Sequence, residues 1–280
     1  MKRATAIGIG FLLVWSAWAQ LPNLPTSFHF AVIGDSGTGG RHQYEVGALL
    51  GQHQKTFGFQ TVLMLGDNIY GGESPRDFRN KFELPYKALL DSGVKFYAAL
   101  GNHDSPDQRL YKHFNMGGQR YYNFKPRDDI RFFALDSTFV DKRQLEWIEK
   151  ELSVSGSDWK IVYFHHPLYS SGGRHGSDMA LRAVLEPLFV KYGVSLVLAG
   201  HDHFYERIKP QRGIPYFVIG GSAKLREGNV RRTALTEKAF DRDNSFALME
   251  IDKDTLHFQA ISRTGATVDS GSFKRVAAPK

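Results

Sequence analysis

The stretch Phe28-His29-Phe30-Ala31-Val32-Ile33-Gly34-Asp35-Ser36-Gly37 is an apolar run of strand length that stops at a glycine and delivers a carboxylate. Four later stretches repeat the plan of apolar run, then polar group: Gly66-Asp67-Asn68-Ile69-Tyr70, Gly101-Asn102-His103-Asp104, Val162-Tyr163-Phe164-His165 and Gly200-His201-Asp202-His203. Further strand-length runs lie at 132–135, 216–219, 246–251, 255–261 and 267–273, and helical patterns cover 41–53, 75–90, 142–152 and 178–192. Strands alternating with helices predict βαβ units. The crowding of strands in the last third adds an antiparallel part, so the expected fold is α/β with mixed sheet. In open α/β sheets, functional groups collect where strands end and loops begin, which allows positions as distant as Asp35 and His203 to meet.

At 280 residues the chain is long enough for one large domain, expected over 20–280. Met1-Lys2-Arg3, an apolar run over 6–18 and Ala17-Trp18-Ala19 before Gln20 predict a secretory signal peptide over 1–19, cleaved after Ala19, and hence a secreted or periplasmic protein. That run is too short to span a bilayer, and no other segment is long and apolar enough. The formal net charge is +7, and loss of Lys2 and Arg3 leaves a mildly basic chain without an aromatic-interleaved basic stripe. Nucleic acid is therefore not an expected partner, whereas a small anionic substrate is weakly favoured. The absence of cysteine excludes disulfides, thiolate metal sites and cysteine nucleophiles.

Two carboxylates alone would suit general acid and base work. Here the surplus of imidazoles and the added carbonyl of Asn102 and phenol of Tyr70 point to metal ligation instead. Asp35, Asp67, Tyr70 and one histidine make an anionic oxygen set suited to a hard trivalent ion, and Asp67, Asn102 and two histidines make a set suited to a divalent first-row ion. Asp67 would be shared, and such a pair of ions clamps both oxygens of an in-line phosphoryl displacement.

The five motifs, in this order, resemble those of the purple acid phosphatases, in particular the small tartrate-resistant branch, within the calcineurin-like metallophosphoesterases. The resemblance runs over about residues 28–222 and implies a four-layer αββα sandwich with a dinuclear metal site at the strand C-terminal ends. It implies Fe3+ at Asp35, Asp67, Tyr70 and His203, and Fe2+, Zn2+ or Mn2+ at Asp67, Asn102, His165 and His201. Glycine at position 37, where most other metallophosphoesterases carry histidine, together with Tyr70 as the extra ligand, is what marks the purple branch. The implied activity is acid phosphatase, a metal-activated hydroxide hydrolysing phosphomonoesters and anhydrides, with inorganic phosphate as product. His103 and His175, in Gly172-Gly173-Arg174-His175-Gly176, correspond to histidines that hold phosphate and protonate the leaving alcohol. His166 reads as a neighbour of the site rather than a ligand. The segment 137–143 leaves no room for the longer covering loop of the small animal enzymes, which implies an open site.

Each motif alone has a plainer explanation, since aspartate caps helices and asparagine tolerates left-handed turns; only their joint occurrence in order argues for the centre. His29, His42, His53, His113 and His257 read as surface or core histidines. Two other classes compete: a metallophosphodiesterase on the same scaffold, and a lipase-like esterase with Ser36 as nucleophile and Asp254-Thr255-Leu256-His257 supplying the acid and base. The esterase requires Ser36 and His257 to meet and leaves His165, His201 and His203 without a task. A metal-bound but inactive protein has nothing in the sequence to favour it. The substrate and oligomeric state are not encoded in any readable motif.

Overall fold

In the computed structural model of the protein, residues 20–275 are described; the expected signal peptide over 1–19 lies outside them. Among the described residues, thirteen strands form two sheets. The first joins β1 (Phe28–Ile33), β2 (Thr61–Met64), β3 (Lys95–Ala98), β11 (Ser245–Asp252), β12 (Thr255–Ser262) and β13 (Thr267–Lys274), in the order β13-β12-β11-β1-β2-β3. The second joins β4 (Tyr122–Arg127), β5 (Ile130–Ala134), β6 (Trp159–Phe164), β7 (Leu196–Ala199), β8 (Tyr205–Gln211), β9 (Ile214–Ile219) and β10 (Thr236–Phe240), in the order β10-β8-β9-β7-β6-β5-β4. β1, β2 and β3 run parallel, as do β5, β6, β7 and β9, while the remaining pairings are antiparallel. Both sheets are mixed, as expected.

The unbroken apolar runs follow from burial on both faces. Along β6, Ile161 and Tyr163 join the core between the sheets, whereas Val162 and Phe164 join a second cluster on the other face. That second cluster takes in α4 (Lys142–Ser153) through Ile148 and Leu152, and α5 (Met179–Lys191) through Leu181, Leu185 and Phe189. α1 (Arg41–Phe57) contributes Val46 and Leu50 to the large core with the first sheet. Aromatic pairs stitch the sheets together: Phe30 meets Phe132 edge-on at 5.3 Å, Tyr97 stacks on Phe124 at 3.7 Å, and Phe217 meets Phe258 at 5.0 Å.

Three strands escape the sequence reading. β4 and β10 are edge strands, and β4 carries Lys125, Pro126 and Arg127, residues that edges tolerate and that hide the apolar alternation. β8 carries Glu206, Arg207, Lys209 and Pro210. The helix expected over 75–90 is broken into α2 (Pro75–Phe78), a π-helical turn Arg79–Glu83 and α3 (Lys87–Asp91). Pro85 has no backbone N–H to continue the ladder.

Candidate metal centre

The parallel strands end at the same edge of the sandwich, and five of them hand on a loop that carries expected ligands. β1 leads to Asp35, β2 to Asp67 and Tyr70, β3 to Asn102, β6 to His165, and β7 to His201 and His203. Backbone bonds lace these loops together: Asp35 N–H donates to Gly66 O (3.1 Å), Tyr70 N–H to Gly37 O (2.9 Å) and Gly200 N–H to His165 O (3.0 Å). The sharp turns are taken by Asp35, Asp67 and His201 themselves, whose φ values are 52°, 52° and 68°. Gly66 shares the positive φ, at 89°, and other motif glycines serve close approach. A Cβ on Gly200 would lie 2.6 Å from Asp35 Oδ2, and one on Gly101 would collide with Asp67.

The seven expected ligand side chains come together in two groups that meet at Asp67. In the first, Tyr70 Oη lies 3.1 Å from Asp35 Oδ1 and 3.4 Å from His203 Nε2, which is itself 3.2 Å from Asp35 Oδ1. Asp67 joins them, since ligand atoms of Asp35, Asp67 and His203 all lie within 4.8 Å of one another. In the second group, His165 Nε2 lies 3.0 Å from Asn102 Oδ1, 3.1 Å from His201 Nδ1 and 3.4 Å from Asp67 Oδ1. Separations near 3 Å are those of neighbouring ligand atoms around an ion held at roughly 2.0–2.2 Å.

The proton inventory fits a cation better than a hydrogen-bond network. His165 Nδ1 sits 2.9 Å from Leu65 O, an acceptor only, so Nδ1 carries the proton and Nε2 presents a lone pair. That lone pair faces the oxygens of Asn102 and Asp67, with no proton to share. Burial holds all three imidazoles in the neutral, ligating form: it pushes His165 well below the usual histidine range, His201 to about 2 and His203 to about 3. Asp35 and Asp67 are fully buried, yet neither has a lysine or arginine ion pair among the described residues. Burial, then the neighbouring Asp67 charge, pushes the Asp35 carboxyl well up, and burial followed by Asp35 and Asp67 pushes up the Tyr70 phenol. Two buried carboxylates, a phenol and three neutral imidazoles without a counter-charge suit two metal ions.

His103 and His175 stand exposed at the rim. The His103 N–H donates to Asp67 Oδ1 (3.0 Å) and its ring lies 5.0 Å from that of Tyr70, while the His175 ring lies 4.2 Å from that of His201. Residues without an expected role hold the site in shape. Asp104 accepts from the backbone N–H of Asn68 (2.8 Å), Ile69 (3.1 Å) and Gly101 (2.9 Å), tying the Asp67 loop to the Asn102 loop. Asp202 accepts from Ser170 Oγ (2.5 Å) and Gly176 N–H (3.2 Å), which anchors the His175 loop. Both sit inside the quoted motifs, a signal that was available. The structure also draws His166 into a group with His165 and His201.

The esterase reading fails on register. His257 pairs with Glu250, which pairs with His29 near the start of β1, whereas Ser36 lies beyond the end of that strand. The two cannot meet.

Residues 28–205 match the family of calcineurin-like phosphoesterases. The chain belongs to that family. It is 25% identical to tartrate-resistant acid phosphatase type 5 of Mus musculus over 80% of this chain and 81% of the relative. It is 29% identical to the Fe(3+)-Zn(2+) purple acid phosphatase 12 of Arabidopsis thaliana, covering 71% of this chain but 47% of that one. Among solved structures, GAP50, the anchor in the inner membrane complex of Plasmodium, shares the fold with a TM-score of 0.77 at 19% identity, over 91% of this chain and 90% of that chain. This calcineurin-like protein is thus a metal-dependent phosphoester hydrolase by family, and among the described residues no helix is long and apolar enough to cross a membrane.

Proposed function

We propose that the protein is an exported acid phosphatase of purple type, hydrolysing phosphomonoesters and, on the same scaffold, anhydrides. The observation that carries this reading is the convergence of unprotonated lone pairs on His165 Nε2 beside two buried carboxylates that lack a basic partner. Asp35, Asp67, Tyr70 and His203 would hold ferric iron, three anionic oxygens suiting a hard trivalent ion; Asp67, Asn102, His165 and His201 would hold Fe2+, Zn2+ or Mn2+. Bound there, two cations supply Lewis acidity that neutralises phosphoryl oxygens and lowers the pKa of water.

The chain's own groups do the rest. Asp67 sits between the two groups and would be the ligand that both ions share. His103, held by its backbone to Asp67, and His175, on the loop anchored by Asp202, present imidazoles to the phosphate; one of them returns a proton to the departing alkoxide. Lys224, 4.6 Å over the Tyr70 ring, and Arg174 beside His175 add positive field at the mouth. Export rests on the basic start, apolar run and Ala17-Trp18-Ala19, and amino-terminal sequencing of exported protein is expected to begin at Gln20.

The test combines metal analysis, the visible spectrum and turnover of an aryl phosphate. The purified protein is expected to hold two metals and a broad visible band from Tyr70 on ferric iron. His201→Ala or Asn102→Ala should lose the divalent ion and at least about a hundredfold in turnover, as removal of a charge-stabilising group does. Wild-type turnover in either variant, or an active colourless metal-free protein, would overturn the reading.

A further inference from the structure

His166 has no task in this scheme, yet its surroundings give it one. Ser137 Oγ accepts from the backbone N–H of His165 (3.2 Å) and of His166 (2.9 Å), which uses both lone pairs of the hydroxyl. The same oxygen lies 3.0 Å from His166 Nδ1. With its lone pairs engaged, Ser137 has only its proton to offer, so the hydroxyl donates and His166 Nδ1 accepts. The neutral imidazole then carries its proton on Nε2, and Nε2 has no partner among the described residues. The ring borders an open cavity of about 430 Å³, shared with Arg174, His175 and His201. Its centroid lies 4.4 Å from that of His201, which in turn lies 4.2 Å from that of His175.

We propose that His166 is a substrate-binding residue, whose Nε2–H, in the tautomer set by Ser137, donates to an oxygen of the phosphoryl group in the cavity beside the metal centre. The proposal rests on the phosphoester reading above. Nearness to His165 and His201 also suggests a third imidazole ligand, but that role needs a lone pair at Nε2, and the Ser137 contact puts a proton there. An N–H on a ring that lines a cavity shared with Arg174 and His175 recognises an anion.

The experiment measures inorganic phosphate affinity and metal content of the full-length, metal-loaded protein. Glutamine places an amide N–H near the position of Nε2 and asparagine does not. His166→Phe and His166→Asn are expected to weaken phosphate binding about tenfold, and His166→Gln to stay within about threefold of wild type, with both metals retained throughout. Ser137→Ala, which frees the tautomer while keeping the ring, is expected to weaken binding about threefold, and it serves as the second arm should a His166 variant fold poorly. Unchanged phosphate affinity in His166→Phe, or in Ser137→Ala where that arm is used, overturns the assignment, as does a Gln variant as weak as Phe. Loss of one metal on His166 substitution overturns it in favour of a ligand. Wild-type protein that binds neither metal nor phosphate overturns the phosphoester reading itself.

Discussion

Asp35, Asp67 and His201 occupy left-handed backbone, a conformation that costs a non-glycine residue of order 1 kcal/mol and survives only where the surroundings enforce it. Here the enforcement is mutual, because His201 N–H donates to Asp35 Oδ2 at 2.8 Å and His103 N–H to Asp67 Oδ1 at 3.0 Å. The same packing fixes the protonation of the site. His201 and His203, held near 2 and 3, are already neutral at pH 5–8, so they release no protons when a cation binds. Asp35 and Tyr70 are pushed the other way, and their protonated forms persist to higher pH in the metal-free chain. Metal affinity is therefore expected to rise with pH through these two groups. Calorimetry in two buffers of different ionisation enthalpy should show Tyr70→Phe releasing about one proton fewer on loading with ferric iron, together with loss of the visible band. Equal proton release in the variant would contradict this.

At the scale of elements, the broken helix has a purpose that its sequence does not advertise. The π-helical turn Arg79–Glu83 presents Lys81, whose Nζ donates to Tyr70 O at 2.6 Å and pairs with Asp77 at 2.7 Å, while α1 reaches across with Gln43 to Lys81 O at 2.5 Å. Gly47 of α1 packs against the Pro85 carbonyl, which leaves no space for a larger side chain. The turn thus braces the Tyr70 loop. Lys81→Met is expected to lower turnover several-fold and to broaden or shift the visible band, while global stability falls by only about 1 kcal/mol, the worth of one charged hydrogen bond at a partly exposed position. A variant with wild-type spectrum and turnover would remove Lys81 from the support of the site. Strand register argues the opposite for Ser36 and His257, which sit at different ends of the first sheet. Ser36→Ala and His257→Ala are each expected to leave phosphatase turnover within about twofold, and loss of activity in either would revive the nucleophilic serine.

For the molecule as a whole, function sits where the two sheets present their parallel strand ends, so the sandwich must hold for the ligands to meet. Phe132, between Phe28, Phe30 and Phe124 at 5.1–6.0 Å, is one of the rings that join the layers. Phe132→Ala is expected to cost about 3–5 kcal/mol in denaturant unfolding, with turnover per folded molecule unchanged. Chelation should act from the other side, lowering the melting temperature by about 10 °C or more and restoring it on reloading, since ligands of the folded state add stability by mass action. The amino-acid sequence alone determined which strand ends carry the candidate side chains that the structure brings together, because short motifs after doubly buried apolar runs leave a local trace. It did not disclose β4 and β10, whose edge positions blur that trace, nor β8, whose charged residues do the same, nor the break at Pro85 within a pattern of helical period. Only the tertiary structure decided which oxygen and nitrogen atoms face each other around Asp67, that Asp104 and Asp202 are braces, and that Ser137 orients His166. Most of those relations join residues 26–166 positions apart through hydrogen bonds across loops, and no local pattern encodes a contact made only when two sheets close.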